Sequence, residues 1–494
     1  MNFISSCSKL GILVSPEINI ETINSDKFLE YINSLESKPF IINQEFVNTY
    51  LSSKDFFKAT IPLNAEVTVN TVLVREKDSS NVEIVKSYEL NNKVKSINDW
   101  FEFYTNRFNK LKNILESRQE LKNASSISSI QKIQGKNNVS TIGIIKEISK
   151  THNEHYIIEI DDPTGSISVF VSANSELIKE CEELVNDEVI GVIGSYNSKF
   201  IYATEFVFPE VPDNQVIKQG SDEYACFISD IHLGSIDFEK KMFENFINWL
   251  KGSSGTNEQK ETAKKVKYLF IIGDLVDGIG VYPGQEKELE IKDIYKQYEL
   301  LAEYLKEIPE DIQIICIPGN HDALRQSEPQ PPLFSDIAKP IYDVVSLKNL
   351  SNPCVVNIGK TPNFKGFNCM LYHGFTYTYY ASKVPKLLNI GMDRPDSVSE
   401  FLLKKRHLGP AHKSGIITPG NFDPLIIETI PDILATGHIH TLGHRKYRGI
   451  NIIAASCFQR MTSFMEKLGH HPTPGFVPLL NLKSRDIKIM DFTN

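Results

Sequence analysis

The chain has 494 residues, 41% of them hydrophobic and 23% charged, and a formal net charge of −9. That length leaves room for about two to four domains, and the composition is that of a folded globular protein. The charge excludes a surface built throughout to neutralise phosphates, and no apolar run approaches the length of a membrane span.

The opening MNFISSCSKLGILVS carries Lys9 inside its short apolar stretch and has no basic lead-in. It reads as folded sequence rather than a signal peptide, so a cytoplasmic location is expected. Residues 1–70 show short helical patterns, SDKFLEYINSL and NQEFVNTYLSS, and are expected to form a small, mostly helical domain. Residues 71–136 read as a linker region. An extended, charged stretch comes first, then an amphipathic helix within 97–121 carrying Trp100, Phe101, Tyr104, Phe108, Leu111 and Leu115, then the Ser-rich connector NASSISSIQKIQGKNN.

Residues 137–212 change character. Three strand-like runs, a helical SELIKECEELVN and two further strands follow the order of an OB-fold barrel. Between Asn138 and Pro212, Lys146, Lys150, Lys179 and Lys199 stand against thirteen acidic residues. Such a module makes a poor phosphate groove. Phe170 and Phe206 are expected in its core, and a docking or structural role is expected for the barrel. From 220 to 494, apolar strands alternate with amphipathic helices such as KKMFENFINWLKG, the pattern of a layered α/β domain.

Five strand-like runs in that last region end alike. YACFISDIHLGS delivers Asp230 and His232; YLFIIGDLVDG delivers Asp274 and Asp277; IQIICIPGNHDA delivers Asn320, His321 and Asp322; FNCMLYHG delivers His373; DILATGHIH delivers His438 and His440. A carboxylate at the end of a hydrophobic strand is costly to desolvate unless positive charge meets it. Sites in open α/β sheets gather beyond the carboxyl ends of strands. Imidazoles, carboxylates and an amide carbonyl suit Mn²⁺, Fe²⁺ or Zn²⁺. Asp230, His232, Asp274, Asn320, His373, His438 and His440 are too many ligands for one ion and fit two. A shared carboxylate, expected to be Asp274, can bridge a pair roughly 3.5–4 Å apart. Asp277 and Asp322 are expected to brace the rings and loops beside them. The seven cysteines include no C-x-x-C pair, so a thiolate zinc site is not expected; Cys226, Cys316 and Cys369 read as buried reduced thiols in strands.

The ordered series D-x-H, G-D-x-x-D, G-N-H-D, H-G and G-H-x-H resembles that of the calcineurin-like metallophosphoesterase superfamily. GNHD and the absence of an arginine after GDLVDG point to its nuclease side. An acidic OB-like barrel placed before such a domain is the arrangement of replicative polymerase B-subunits. LLKKRHLGPAH, PDILATGHIH and HPTPGFVPLLNL together resemble the small subunit of archaeal family D DNA polymerase, over residues 97–494.

The resemblance implies a metallophosphoesterase β-sandwich with flanking helices, behind an OB-fold barrel and a small helical N-terminal region. It implies a 3′→5′ proofreading exonuclease that also scaffolds a large polymerase subunit. Two divalent metals are implied, Mn²⁺ first, with Fe²⁺, Zn²⁺ or Mg²⁺ as substitutes. One is held by Asp230, His232, Asp274 and His440, the other by Asp274, Asn320, His373 and His438. His321, oriented by Asp322, is implied to steady the transition state or protonate the departing 3′-oxygen. Implied partners are the large subunit, DNA 3′ ends and, through the holoenzyme, a sliding clamp and primase, with no membrane. Eukaryotic B-subunits have lost the ligands; here every position is filled. After His373–Gly374 the family tends to Ser and paired acids, whereas this chain reads FTYTYYAS. The basic run Lys404, Lys405, Arg406 and His407 is expected to meet DNA or the large subunit, or to be a solvated loop. A catalytically silent scaffold and a free-standing metallophosphatase are the alternative readings.

Overall fold

A computed structural model describes residues 13–14, 41–42, 82–89, 95–213 and 218–493. The chain divides into two compact units, Met1–Val72 and Leu73–Asn494. In the first, β1 (Leu13–Val14) and β2 (Ile41–Ile42) pair in parallel. The helices expected within 1–70 lie outside the described residues.

In the second unit, β3 (Val82–Lys86) precedes a helix over Ile97–Glu116. Asp99 accepts the Ser96 amide at 2.6 Å and closes the helix start. Phe103, Phe108, Leu111 and Leu115 form its buried stripe, whereas Phe101, expected inside, is 72% exposed. The packed face takes Phe103 instead, one helical turn before Arg107. The Ser-rich connector is no loose linker. It contains a helix at Ile127–Gln131 whose Ile127 and Ile130 are fully buried in the barrel core. The isoleucines decide this over the surrounding serines, because their apolar area gains more from burial than the serines lose.

The barrel is β4 (Asn137–Lys150), β5 (Tyr156–Asp162), β6 (Gly165–Val171), β7 (Val189–Tyr196) and β8 (Phe200–Val207). It closes in the order β4-β5-β6-β8-β7. A short helix, Ile178–Cys181, lies between β6 and β7. Phe206 is in its core as expected. Phe170 is not: it points outward from β6, with its ring 5.3 Å from Tyr202 and 6.1 Å from Phe200. Strand alternation explains this, since Val169 and Val171 take the inward positions.

Two six-stranded sheets follow. The first has β9 (Tyr224–Ile228), β10 (Val266–Ile272), β11 (Gln313–Ile317), β12 (Leu347–Asn349), β18 (Phe476–Asn481) and β19 (Ile487–Asp491). The second has β13 (Cys354–Ile358), β14 (Phe367–Tyr372), β15 (Ile433–Thr436), β16 (Gly443–Tyr447) and β17 (Ile450–Ala454), with β3 as an edge strand against β13. Their orders are β12-β11-β10-β9-β18-β19 and β16-β17-β15-β14-β13-β3. Phe227, Phe270 and Ile315 of one sheet meet Val356, Leu371 and Ile453 of the other in one core. Helices Lys240–Leu250 and Ile294–Lys306 cover the outer face of the first sheet, and Tyr377–Lys383 and Pro395–Lys405 that of the second. Strands buried on both faces are apolar over nearly their whole length, which is why β10 reads VKYLFII, with Lys267 at its outer end paired to Asp311. Cys226, Cys316 and Cys369 are buried and unpaired.

The basic run corrects an expectation. Lys405, Arg406 and His407 are buried, and Lys404 is half-buried. Lys405 Nζ lies 2.7 Å from Glu188 Oε2 of the barrel, and Lys404 and Lys386 both reach Glu183 at 3.0 Å. Arg406 donates to the carbonyls of Ile427 and Glu428, each at 2.7 Å. The run is therefore not a DNA- or partner-facing loop but an internal seam, where cations of the sandwich meet acids of the barrel. His407 accepts the Gly409 amide on Nδ1, so its Nε2–H donates to Asp423 at 2.8 Å. The same carboxylate takes Arg107 Nε at 2.7 Å, and Arg107 also donates to the carbonyls of Asp187 and Pro410. Long helix, barrel and sandwich thus share one buried ion cluster.

Burial pushes the Asp423 carboxyl up, but Arg107 and His407 outweigh it and hold the acid below its ordinary range. A depressed acid stabilises the fold above its unfolded value and loses that contribution as pH falls through the folded one. Asp423→Ala is expected to cost about 3–5 kcal/mol, because Arg107 is left buried without its counter-ion. Urea unfolding monitored by fluorescence checks this, and below pH about 4 the difference from wild type should shrink.

Candidate metal centre

β9, β10 and β11 run parallel in one sheet, and β14 and β15 run parallel in the other. Their carboxyl ends open on one edge of the sandwich. Asp230 and His232 follow β9; Asp274 and Asp277 follow β10; Asn320, His321 and Asp322 follow β11; His373 follows β14; His438 and His440 follow β15. Asp230, His232, Asp274, His438 and His440 all have positive φ, between 49° and 69°. Left-handed backbone at five non-glycine residues is strain that persists where surroundings enforce it, and it clusters at functional sites. Glycines make the crowding possible: a β-carbon at Gly273 would strike the His373 ring, and one at Gly319 would strike the Asp274 carboxylate.

Three groups of side chains bring their ligand atoms within 4.8 Å of one another: Asp230, His232 and His440; His232, Asp274 and His321; Asp274, His373 and His438. Asp274 joins them. Its Oδ2 lies 3.6 Å from His232 Nε2 and 3.4 Å from His373 Nε2, while Oδ1 accepts the His321 amide at 2.8 Å. Asn320 Oδ1 is 3.1 Å from His373 Nε2, so all seven sequence-predicted ligands converge. Asp230 Oδ2 accepts the His438 amide at 2.8 Å and ties β9 to β15 across the two sheets.

The donor set fits cations. His232 Nδ1 lies 2.9 Å from Asp277 Oδ1 and His373 Nδ1 lies 2.8 Å from the Ile272 carbonyl, so each Nδ1 carries a proton. Both Nε2 atoms therefore point into the cluster. There His232 Nε2 confronts His440 Nε2 at 3.2 Å. Asp230 Oδ1 is buried and makes no hydrogen bond, although His440 Nε2 stands 3.3 Å away. Imidazole nitrogens and a carboxylate oxygen crowded into a buried space are stable only with positive charge among them, whether protons or a cation. Burial lowers the basicity of His373, but the Asp274 carboxylate reverses this and raises it to about 9. Asp230 likewise raises His440 well above its ordinary value against the effect of burial. No thiolate takes part, and the mixed nitrogen and oxygen set suits Mn²⁺, Fe²⁺ or Zn²⁺.

The neighbours of this set differ partly from expectation. Asp277 does brace His232, and is itself held by Gln285 Nε2 at 3.0 Å. Asp322 does not touch the His321 ring. It accepts the amides of Gly319 and Leu275 and the Tyr298 hydroxyl, which bolts the GNHD loop to β10 and to the helix Ile294–Lys306. Burial and the nearby Asp274 charge raise Asp322 to about 7. His321 is oriented instead by the Asp277 carbonyl, 2.9 Å from its Nδ1. Asn352, whose side-chain oxygen accepts the His373 amide at 2.9 Å, had no signal in the sequence beyond a loop asparagine.

Comparison with known proteins shows the family of the chain. A family model for the B-subunits of DNA polymerases alpha and epsilon matches residues 225–442. The DNA polymerase II small subunit of Methanothermobacter thermautotrophicus is 40% identical over 387 residues, covering 78% of each chain. That of Archaeoglobus fulgidus is 38% identical over 459 residues, 92% of this chain and 89% of its own. This chain belongs to the archaeal family D polymerase small subunits. The relative from Pyrococcus abyssi is 37% identical over 395 residues, 79% of this chain and 62% of its own. A solved archaeal phosphodiesterase aligns with 54% of this chain and 98% of its own, at 12% identity and a TM-score of 0.26.

In this small subunit, Asp277→Ala removes a brace and is expected to weaken Mn²⁺ affinity about 10–100-fold, read by titration calorimetry. Metal uptake must displace the protons that Asp274 and Asp230 hold on His373 and His440. Affinity should therefore fall as pH drops below about 9, with net proton release visible in buffers of different ionisation enthalpy.

Proposed function

We propose that this chain is the proofreading 3′→5′ exonuclease and scaffold subunit of a family D replicative DNA polymerase. It would hydrolyse phosphodiester bonds at single-stranded or mismatched 3′ ends. The observation that carries this is a complete ligand set around one shared carboxylate, in a chain of a polymerase small-subunit family. A pure scaffold has no use for seven converging donors, five of them in strained backbone.

Asp230, His232, Asp274 and His440 would hold one divalent cation, and Asp274, Asn320, His373 and His438 a second. Such a pair, when bound, supplies Lewis-acid activation of water and offsets charge on the phosphoryl oxygens. The chain's own residues do the rest. Asp277 and the Ile272 carbonyl keep His232 and His373 in the tautomer that aims Nε2 inward. His321 sits at the mouth, with a side chain 17% exposed and Nδ1 pinned to the Asp277 carbonyl, which leaves Nε2 to face substrate. It would steady the transition state or give a proton to the departing 3′-oxygen.

We read the five-stranded barrel as an OB-fold that serves docking rather than strand binding, since it is acidic overall and Glu183 and Glu188 already tie it to lysines of the sandwich region. The large catalytic subunit and DNA 3′ ends are the proposed partners, with a sliding clamp and primase reached through the holoenzyme. The cytoplasm is the proposed compartment.

With Mn²⁺, the purified chain should shorten 3′-labelled single strands and leave chromogenic phosphate monoesters untouched. His321→Ala should keep its metal content and lose about 10²–10⁴-fold in rate. Asp274→Ala should lose metal and activity together. A full-rate Asp274→Ala enzyme with normal metal content would overturn the assignment.

A further inference from the structure

The floor of the site is polar, but its rim is not. The Phe375 ring lies 5.7 Å from that of His438, which is 5.1 Å from His373. At the other end the Tyr282 ring lies 6.1 Å from that of His321, itself 4.5 Å from His232. The two aromatic rings thus flank the two halves of the cluster that Asp274 joins. Neither belongs to a packed core among the described residues: Phe375 is half-buried and Tyr282 is 38% exposed. Both are nonetheless held. Gly415 lies under the edge of Phe375, where an added β-carbon would come within 3.5 Å of Cδ1. The Tyr282 hydroxyl donates to Glu288 at 2.6 Å, which fixes the ring by its far end. Ile279, three residues before Tyr282, is 46% exposed.

Holding cations or cleaving a phosphate requires neither ring. Exposed flat apolar faces beside a phosphodiester site suit a substrate with flat apolar groups on both sides of its phosphate. Nucleobases have that shape, and stacking accepts any base because each has a π-face. A phosphorylated polar side chain would gain nothing there.

We propose that Tyr282 and Phe375 are base-stacking residues that receive nucleobases on opposite sides of the scissile phosphate. This rests on the phosphodiesterase reading above and goes on to name what grips the strand. It also gives a role to FTYTYYAS, where the chain departs from the Ser and acidic residues usual after His373–Gly374.

The test uses the full chain and 5′-labelled oligonucleotides whose last two residues are either normal or abasic. Affinity is read by anisotropy in EDTA, and kcat/KM with Mn²⁺. Wild type should prefer the base-bearing end in both measurements. Phe375→Ala and Tyr282→Ala should each shrink that preference about 5-fold to 150-fold, the range of one base–aromatic stack. Phe375→Tyr and Tyr282→Phe should retain it, which a general disturbance of the fold would not predict. An unchanged preference in both alanine variants overturns the stacking site. A preference seen in binding by a wild type that cleaves nothing supports stacking but sinks the exonuclease reading, so the two failures are distinct.

Discussion

A single carboxylate buried between two imidazoles is the constraint on which the rest depends. Asp274 sits 1% exposed, with His232 on one side and His373 on the other, each reached by the same oxygen. His232 comes from the first sheet and His373 from the second, so the carboxylate acts where the two sheets face each other. Desolvation on this scale is tolerable only if positive charge is at hand. The left-handed backbone at Asp274, the missing β-carbons at Gly273 and Gly319, and the Asp277 brace all serve to bring that charge close.

The site was largely legible in the sequence because its residues follow apolar strands directly. A run such as YLFII ending in Gly-Asp states both the strand and the point where it stops. Parallel pairing then brings the ends together, and the seven side chains singled out in the motifs lie close to one another. What stayed hidden has no local pattern. The roles of Asp322 and of the Asp277 carbonyl depend on how the GNHD loop folds back, and backbone carbonyls leave no mark in residue identity. Asn352 reaches His373 from a loop that carries no motif.

The same distinction holds for the fold. The succession of three strands, a helix and two strands along the barrel could be anticipated, but the placement of Phe170 and Phe101 could not. Each lies in a stretch where neighbouring hydrophobic residues compete for the inner face. The run at 404–407 misled for a related reason. Four cationic or imidazole groups in an acidic chain look available, yet the two lysines meet acids of the barrel, Arg406 meets backbone carbonyls and His407 meets Asp423. Charge imbalance in one module and its opposite in another are signs of a shared interface. Neither alone says which outside molecule, if any, is met.

The strand Val82–Lys86 closes the second sheet from a position well upstream of the barrel. Any shortened version of the protein begun after it would strip Cys354–Ile358 of its outer neighbour and bare a row of backbone amides on an apolar ribbon. Bare ribbons of that kind recruit further copies of themselves. Solubility of the two-sheet region is therefore tied to a five-residue piece that lies outside the candidate metal centre.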